Sequence, residues 1–265
     1  MDIKKYFCPE CKKELKQDNN KIICFNCQNE YKITNGIAVY GKDISETMEK
    51  YWENYDFKAD LIENCLEEFI PKNKKYKNIL DLGCGDGRGT VAISHLGAKI
   101  FCLDTSFNLL KILKLRNLPN IIPINGDGKK LPFPDNYFDL IISISTVEHI
   151  NYKDLSYVFD EVCRVLKKDG LFLVRNDAWF YGVLEKLRIL PGKKKFTTKP
   201  DLTHINMMTP WKFKKALKNS NLKIIQEDYF PFYRYQKNIK RLFFPKFLVS
   251  IFATHANLIC KPIKK

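Results

Sequence analysis

The stretch ILDLGCGDGRG, residues 79–89, decides the fold, because its apolar run ends in a glycine-rich turn. A strand that runs into glycines lets a ligand approach the backbone closely. A dinucleotide-binding motif, G-x-G-x-x-G, needs a third glycine at a fixed position. That position is Arg88 when counted from Gly83 and Thr90 when counted from Gly85. The sequence therefore disfavours a dinucleotide.

The same turn also lacks the features of a phosphate-binding P-loop. No Gly-Lys-Ser/Thr follows the glycines. Asp81 and Asp86 place negative charge beside the turn, which opposes a pyrophosphate. A ligand without phosphate and with a positive charge suits the turn better. S-adenosylmethionine (SAM), with its sulfonium, ammonium, carboxylate and ribose diol, has these properties.

Each part of SAM has a candidate partner near the ends of three predicted strands. Asp81 would attract the ammonium group, directly or through water, and the start of the next helix would receive the carboxylate. Asp104 ends the following strand, where a carboxylate can accept from both ribose hydroxyls. Asp127 and the backbone N–H of Gly128 would contact the adenine. The glycines that allow close approach are Gly83, Gly85 and Gly87.

Strand and helix patterns alternate along the middle of the chain. Predicted strands cover 78–82, 99–103, 121–124, 138–144 and 171–174, with later ones at 223–225 and 258–261. Predicted helices cover 45–69, 87–96, 108–118, 155–166 and 211–219. Apolar strands that alternate with amphipathic helices are typical of a parallel sheet covered on both faces. The sequence thus predicts an α/β fold.

Four segments in order resemble the class I SAM-dependent methyltransferases, especially the branch with quinone-biosynthesis enzymes. They are ILDLGCGDGRG, CLDTS, INGDGKKLPFPDNYFDLIISISTVEHI and EVCRVLKKDGLFLV, within residues 76–175. The resemblance implies a doubly wound, mostly parallel, seven-stranded Rossmann-like sheet. It also implies that Ser143 lines the methionine end of SAM. Tyr51 and Trp52, on the preceding helix, are candidates for a lid over the cofactor, although core packing is the commoner role of such aromatics.

Four cysteines near the N-terminus have the spacing C-x2-C-x12-C-x2-C, which is typical of a structural zinc site. They are Cys8, Cys11, Cys24 and Cys27. A piece of about forty residues has little core of its own, so the metal would supply much of its folding free energy. Disulfides or a redox dithiol are the alternatives. The segment resembles the zinc ribbon that precedes or activates several methyltransferases. We expect a zinc-ribbon domain at residues 1–41 and a methyltransferase domain at 45–265.

The basic character of the chain lies at one end. The net charge is +15, and residues 180–265 carry 19 Lys or Arg against 4 Asp or Glu. Residues 176–265 form a basic insertion on the substrate side and the C-terminal part of the domain. We expect them to face an anionic partner or to remain a solvated surface. The N-terminus has no apolar signal segment, and nine cysteines in such a chain suggest reduced thiols or metal ligands rather than disulfides. Together these features predict a cytoplasmic protein. No sequence feature indicates an oligomeric state.

The methyl acceptor is less constrained than the cofactor. His149 and His204 are weak candidates for a base that removes a proton from the acceptor, and each is more often structural. The segment SISTVEHI lacks the proline-containing turn of related nucleobase amine methyltransferases. We therefore expect a small metabolite, or a lipid- or sugar-linked one, methylated at oxygen, nitrogen or carbon.

Two alternatives to a metabolite acceptor remain: an RNA acceptor and a non-catalytic role. A peripheral membrane contact would accompany the metabolite acceptor. The aromatic and basic tract of residues 229–252 would hold RNA in a tRNA or rRNA methyltransferase, together with the zinc ribbon. The same tract would instead rest on an anionic membrane surface. A partner subunit that binds SAM without catalysis is the other alternative.

Overall fold

The computed structural model of the chain describes residues 6–41, 66, 69–71, 73–177, 204–230 and 255–263. Eleven strands in these residues form one mixed sheet, in the order β1-β2-β3-β4-β7-β6-β5-β8-β9-β11-β10. The N-terminal strands are β1 Lys16–Asp18, β2 Lys21–Ile23, β3 Glu30–Thr34 and β4 Ile37–Val39. The others are β5 Asn78–Leu82, β6 Lys99–Asp104, β7 Ile121–Asn125, β8 Phe138–Ile144, β9 Leu166–Asp177, β10 Leu222–Phe230 and β11 His255–Pro262.

Four helices accompany the sheet in the described residues. They are α1 Arg88–Ile93, α2 Phe107–Leu115, α3 Leu155–Val165 and α4 Pro210–Lys218. Side-chain caps fix two of their starts, because Ser106 accepts from Leu109 N–H and Thr209 accepts from Lys212 N–H. No helix among these described parts is long and apolar enough to cross a membrane.

The centre of the sheet is parallel and buried on both faces. Strand β5 pairs in parallel with β6 and β8, and β9 extends the parallel set beyond β8. The β5 sequence NILDL is buried over its last four residues, including the carboxylate of Asp81. Continuous burial of this kind requires helices on both faces of a parallel sheet. The predicted α/β fold, with its Rossmann-like parallel centre, is thereby confirmed.

The seven-strand prediction was too low, since residues 16–39 add four strands to the same sheet. Strand β4 pairs in parallel with β7 through Ala38 opposite Ile124 and Val39 opposite Asn125. The remaining seven strands come from residues 78–262. Pairing at a sheet edge depends on backbone groups that carry no sequence signature, so side-chain patterns could not predict it.

The N-terminal segment also shares its core with the central sheet. The Tyr6 ring is 2% exposed and lies 6.4 Å from the Phe101 ring and 6.2 Å from the Phe133 ring, between centroids. Phe7 N–H donates to the Pro132 carbonyl at 3.0 Å. Residues 6–41 therefore pack as an edge of one structure rather than beside it.

A candidate cofactor site at the glycine turn

The glycine turn follows β5 and consists of residues with left-handed backbone conformations. The φ angles are 75° at Gly83, 53° at Gly85 and 88° at Gly87, which other residue types rarely adopt. A Cβ added at Gly83 would lie 2.2 Å from the Thr146 side chain, and one at Gly87 would lie 2.2 Å from Leu113. Gly83 and Gly87 thus permit close packing inside the chain.

Gly85 has a different environment from its two neighbours. Among the residues that the structure describes, a Cβ added there would meet only Leu109, at 3.8 Å. The same glycine donates its backbone N–H to the Asp104 carboxylate. The space over Gly85 is therefore open to a ligand, beside an acidic side chain.

Asp104 lies at the carboxyl end of β6 and is held by two backbone donors. Its Oδ2 accepts from Gly85 N–H and its Oδ1 from Ser106 N–H, each at 2.8 Å. Burial raises the pKa of Asp104, and these two N–H donors oppose that rise. The backbone N–H of Thr105 also lowers the pKa of this carboxylate. An ionised carboxylate has about four acceptor positions, so at least one remains for a hydroxyl group of a ligand.

The sequence assigned Asp81 to the ammonium of the cofactor, and the structure places its carboxylate behind the turn. The side chain is 2% exposed, and its Oδ2 accepts from the Thr90 hydroxyl at 2.6 Å. Burial raises the pKa of Asp81 to about 7, although the Thr90 hydrogen bond opposes the rise. Any attraction of Asp81 for a cation would therefore act through the turn and depend on pH near neutrality.

Asp86, whose charge argued against phosphate ligands, is neutralised by two arginines. Its Oδ2 lies 3.1 Å from Arg88 Nε and 2.9 Å from an Arg116 guanidinium nitrogen. Arg116 also donates to the Asp86 carbonyl at 2.6 Å. Asp86 therefore anchors the turn to the end of α2, and its charge is a weaker argument against phosphate than the sequence suggested.

The predicted adenine contacts follow β7, directly beside the end of β6. Gly126 N–H donates to the Asp104 carbonyl at 3.0 Å, which joins the two strand ends. The Asp127 side chain is 47% exposed and accepts from Lys129 N–H at 2.9 Å. Gly128 lies next in the same turn, where an added Cβ would come within 3.2 Å of Leu82.

The N-terminal segment supports this second turn. Tyr40 N–H donates to the Asn125 carbonyl at 2.8 Å. A Cβ added at Gly41 would lie 3.3 Å from the Gly126 Cα, so the two glycines allow the backbones to touch. The predicted adenine side of the pocket is therefore built partly by residues 40 and 41, which the sequence did not associate with it.

Ser143, predicted to line the methionine end, lies at the end of β8 and is 1% exposed. Its hydroxyl donates to the Leu82 carbonyl at 3.0 Å. The Thr146 hydroxyl lies 3.3 Å from the carbonyl oxygens of Leu82 and Gly83. Both side chains hold β8 against the glycine turn, and Thr146 is a site residue that the sequence did not identify.

The two candidate catalytic histidines meet beyond β8. Their ring centroids are 4.8 Å apart, with His149 in a short 3-10 helix, Val147–His149, and His204 in a distant segment. Glu148 is fully buried between these segments. Asn206 N–H donates to the Glu148 carbonyl at 2.9 Å, which fixes the second segment against the first.

Arg175 is a further buried polar residue near the site that sequence reasoning missed. It lies in β9 opposite Ile144 and is 5% exposed. Its carbonyl accepts from Ser145 N–H at 3.1 Å, at a left-handed residue after β8. A charged residue inside the apolar run LFLV-R-N was the available signal, since arginine is rarely buried without a role.

The four N-terminal cysteines converge as the spacing predicted. Sγ distances are 3.5 Å for Cys8–Cys27 and 3.4 Å for Cys11–Cys24, and all four sulfurs lie within 4.8 Å of one another. Zinc bound tetrahedrally at about 2.3 Å would hold sulfurs about 3.8 Å apart. The cluster therefore fits a zinc ion.

The backbone around the cysteines repeats the same turn twice. Cys8 N–H donates to the Lys13 carbonyl and Lys12 N–H donates to the Cys8 carbonyl, each at 2.8 Å. Cys24 bonds in the same way with Asn29 and Gln28, at 2.9 and 2.8 Å. Lys12 and Gln28 both have left-handed φ angles, 58° and 59°. Two equivalent knuckles of this kind present four thiols to one point.

The predicted lid residues Tyr51 and Trp52 lie outside the described residues. So does most of the basic and aromatic tract of residues 229–252, together with residues 178–203. The lid, RNA and membrane hypotheses for these segments stay predictions.

The comparisons with known proteins agree with this geometry. The family model described as "Methyltransferase domain" matches residues 80–174. A ubiquinone/menaquinone biosynthesis C-methyltransferase of Neisseria meningitidis serogroup C is 29% identical over 155 residues, covering 54% of this chain and 62% of that protein. The chain spans about 60% of the length of the curated relatives that it matches first.

Solved structures share the fold at low sequence identity. A SAM-dependent methyltransferase from Archaeoglobus fulgidus has a TM-score of 0.61 and 14% identity, covering 81% of this chain and 99% of that chain. One chain of a Haloferax volcanii complex between the Trm112 methyltransferase activator and a methyltransferase has a TM-score of 0.55 and 15% identity. That match covers 83% of this chain and 92% of the other. Residues 80–174 thus match a methyltransferase domain, and the chain shares the fold of solved SAM-dependent methyltransferases.

Proposed function

We propose that the chain transfers a methyl group from SAM to an oxygen, nitrogen or carbon atom of a small metabolite or of a lipid- or sugar-linked one. The observation that carries the proposal is the Asp104 carboxylate, held by Gly85 and Ser106 N–H beside the open face of the glycine turn. The acceptor capacity left on this carboxylate suits a hydroxyl of a ribose diol. SAM, when bound, supplies a methyl group on a positively charged sulfur.

In this proposal the chain mainly binds and orients. Gly85 offers open space over its backbone, Asp104 accepts from the ribose, and Asp127 with Gly128 N–H meets the adenine. Ser143 and Thr146 hold the end of β8 against the turn. Gly83 and Gly87 keep the turn in its left-handed conformation, and Asp81 supports it from behind. Methyl transfer gains most of its rate from alignment of this kind.

His149 and His204 are the candidates for removing a proton from the acceptor. Their rings lie 4.8 Å apart after the strand that adjoins the glycine turn. An imidazole titrates near neutral pH, which suits a general base. A carbon acceptor next to a hydroxyl group becomes nucleophilic when that hydroxyl loses its proton, so it would need the same base.

We propose a structural zinc ion at Cys8, Cys11, Cys24 and Cys27. Four protein thiolates fill a tetrahedral ion, so no position remains for a substrate. The ion would fix the two knuckles and, through β4, the neighbouring strand β7. Zinc would thereby support the adenine side of the pocket rather than take part in the reaction.

The small-metabolite acceptor draws support from the similar Neisseria protein, whose name assigns it to quinone biosynthesis. The absence of a proline-containing turn in SISTVEHI points the same way. RNA remains the alternative acceptor, which the zinc ribbon and the basic C-terminal third of the chain, including the aromatic tract of residues 229–252, would hold.

Labelling with methyl-tritiated SAM tests the acceptor class. The purified chain is incubated with cell extract, which is then separated into RNA, lipid, protein and small solutes. Label in the small-solute or lipid fraction supports the proposal. Label in RNA supports the alternative, and binding of SAM without any transfer supports a non-catalytic partner subunit.

A further inference from the structure

Three side chains of metal-ligand type meet at one point beyond β8, away from the cysteine cluster. Glu148 and His149 belong to the short helix Val147–His149, and His204 comes from the segment before α4. One ligand atom from each lies within 4.8 Å of the other two. His204 is 55 residues from His149 along the chain, so tertiary structure brings the two together.

Burial gives this cluster its chemical character. Glu148 is 0% exposed, and both imidazoles are partly buried. A buried carboxylate and two partly buried imidazoles keep their ligand atoms largely away from competing water. Two imidazoles and one carboxylate are also a ligand set used by divalent transition metals, with further coordination positions left open.

The geometry suits one ion after a small adjustment. Ligands bound to a divalent metal at about 2.1 Å lie about 3.0–3.4 Å from each other. The ligand atoms now lie at most 4.8 Å from one another, so the side chains would move inward by no more than roughly 1–2 Å on binding. The hydrogen bond from Asn206 N–H to the Glu148 carbonyl keeps the two segments in register for this movement.

We infer that Glu148, His149 and His204 bind a divalent transition-metal ion. The site adjoins the proposed methyl-donor pocket, because Thr146, one residue before the helix, bonds to the glycine-turn carbonyls. An open position on the ion would take a hydroxyl oxygen of the acceptor and lower its pKa. This role, unlike metal binding itself, rests on the proposed function.

The reaction balances without another reagent. With the ion bound, His149 and His204 act as its ligands in place of the general-base role considered above. The acceptor hydroxyl on the ion would release its proton to solvent. Its oxygen then forms a bond to the methyl carbon while the carbon–sulfur bond breaks, and the electron pair of that bond stays on sulfur. The products are the methylated oxygen and a neutral thioether.

Cobalt titration of the full chain tests the metal site. The protein is loaded with zinc and washed with EDTA, and Co2+ is then added. Because zinc outranks cobalt in affinity, the cysteine cluster keeps its zinc. We expect one Co2+ per chain. Its visible d–d absorption should be typical of imidazole and carboxylate ligands, without a thiolate charge-transfer band.

Variants separate the three ligands from general stability. His204→Ala and Glu148→Gln should each weaken Co2+ binding by about tenfold or more. Glu148→Gln nearly preserves the buried shape, so it stays informative if an alanine variant fails to fold. His95→Ala removes an exposed imidazole outside both clusters and should leave Co2+ binding unchanged. Absence of Co2+ binding, or equal affinity in wild type and both ligand variants, would overturn the inference.

A SAM titration on the same samples separates this inference from the proposed function. SAM binding without any Co2+ binding overturns the metal site and leaves the methyltransferase proposal standing. Co2+ binding that depends on His204, without SAM binding, supports the metal site and overturns the methyltransferase proposal.

Discussion

At the scale of single residues, Asp81 and Asp104 are similar carboxylates that differ in burial and in hydrogen-bond partners. Both lie at the carboxyl ends of adjacent strands. Asp81 is 2% exposed and bonded to Thr90, whereas Asp104 is partly exposed and bonded to backbone N–H groups of the turns. Their place at strand ends was predictable from sequence. Their different surroundings depend on Thr90, which lies on the next helix and which no motif connected with Asp81.

Asp81→Asn should change how stability depends on pH. The pKa of Asp81 rises from its ordinary value near 4 to about 7 on folding. The folded chain therefore binds more protons between pH 4 and 7, and this group makes the protein less stable as pH increases through that window. The amide variant removes this dependence, which is worth at most about 4 kcal/mol.

Urea unfolding of wild type and Asp81→Asn at several pH values between 4 and 8 measures the effect. As pH increases from 4 to 7, the free energy of unfolding of the variant should increase relative to that of wild type. Above pH 7 the difference between the two should be constant. A difference that stays constant across the range would contradict the assigned cause.

Gly83→Ala should be more destabilising than Gly97→Ala. Both glycines have left-handed φ angles, 75° and 66°, so both variants lose about 1–2 kcal/mol in backbone strain. A Cβ at Gly83 would also meet Thr146 at 2.2 Å, while no atom of the described part of the chain lies within 4 Å of one at Gly97. Overpacking adds about 1–3 kcal/mol at Gly83 alone. Chemical denaturation compares the two, and equal losses would refute the clash.

At the scale of helices and strands, the N-terminal strands and α3 meet through one carboxylate. Glu161 accepts from Lys12 Nζ and Leu131 N–H, each at 2.7 Å, and from Arg164. Although burial acts to raise it, the pKa of Glu161 is lowered by Arg164 and Lys12. The ionised side chain therefore joins three parts of the chain.

Glu161→Gln should reduce the free energy of unfolding by about 1–3 kcal/mol at pH 7, because charged hydrogen bonds are lost. A group with a lowered pKa stabilises above its unfolded pKa, and this contribution disappears as pH falls through its folded pKa. The difference from wild type should therefore vanish in acid. Asp160→Asn, one residue earlier and exposed, is the control and should have little effect at pH 7. Equal effects of the two changes would contradict the role of Glu161.

Element bounds illustrate what sequence patterns capture. The predictions for 78–82 and 138–144 agree with β5 and β8, because both strands are apolar runs with clear ends. Strand β9 was predicted at 171–174 but covers Leu166–Asp177. The sequence KKDG, residues 167–170, ends the helical pattern before it. In the structure it lies between Leu166, opposite Phe138, and Leu171, opposite Leu140, where the pairing with β8 shifts register. A bulge of this kind needs a partner strand, so local sequence could not distinguish it from a turn.

At the scale of the whole molecule, the N-terminal segment and the central sheet form one structure. The sequence predicted the cysteine cluster from its spacing, and the structure brings the four sulfurs together. It did not predict the β4–β7 pairing or the contact of Gly41 with Gly126, since both depend on backbone approach between distant segments. Separate patterns in a chain therefore need not mean separate folding units.

Loss of zinc should destabilise the entire chain. Cys8 and Cys24 are fully buried in a core shared with Phe101 and Phe133. Cys24→Ser should therefore lower the Tm of a single unfolding transition by roughly 5 °C or more, and it should also weaken SAM binding. Cys163→Ser, outside the cluster, is the control. Calorimetry that shows an unchanged main transition in Cys24→Ser would mean that the N-terminal segment folds independently.

Calorimetric titration with SAM tests the central claim most directly. The account predicts that the wild-type chain binds SAM and that Asp104→Ala binds it roughly tenfold more weakly or worse, because charged hydrogen bonds to the ligand are lost. Asp135→Ala, which removes an exposed carboxylate paired with Arg164, should bind as wild type does. A wild-type chain that does not bind SAM, or a folded Asp104→Ala variant with unchanged affinity, would contradict the account.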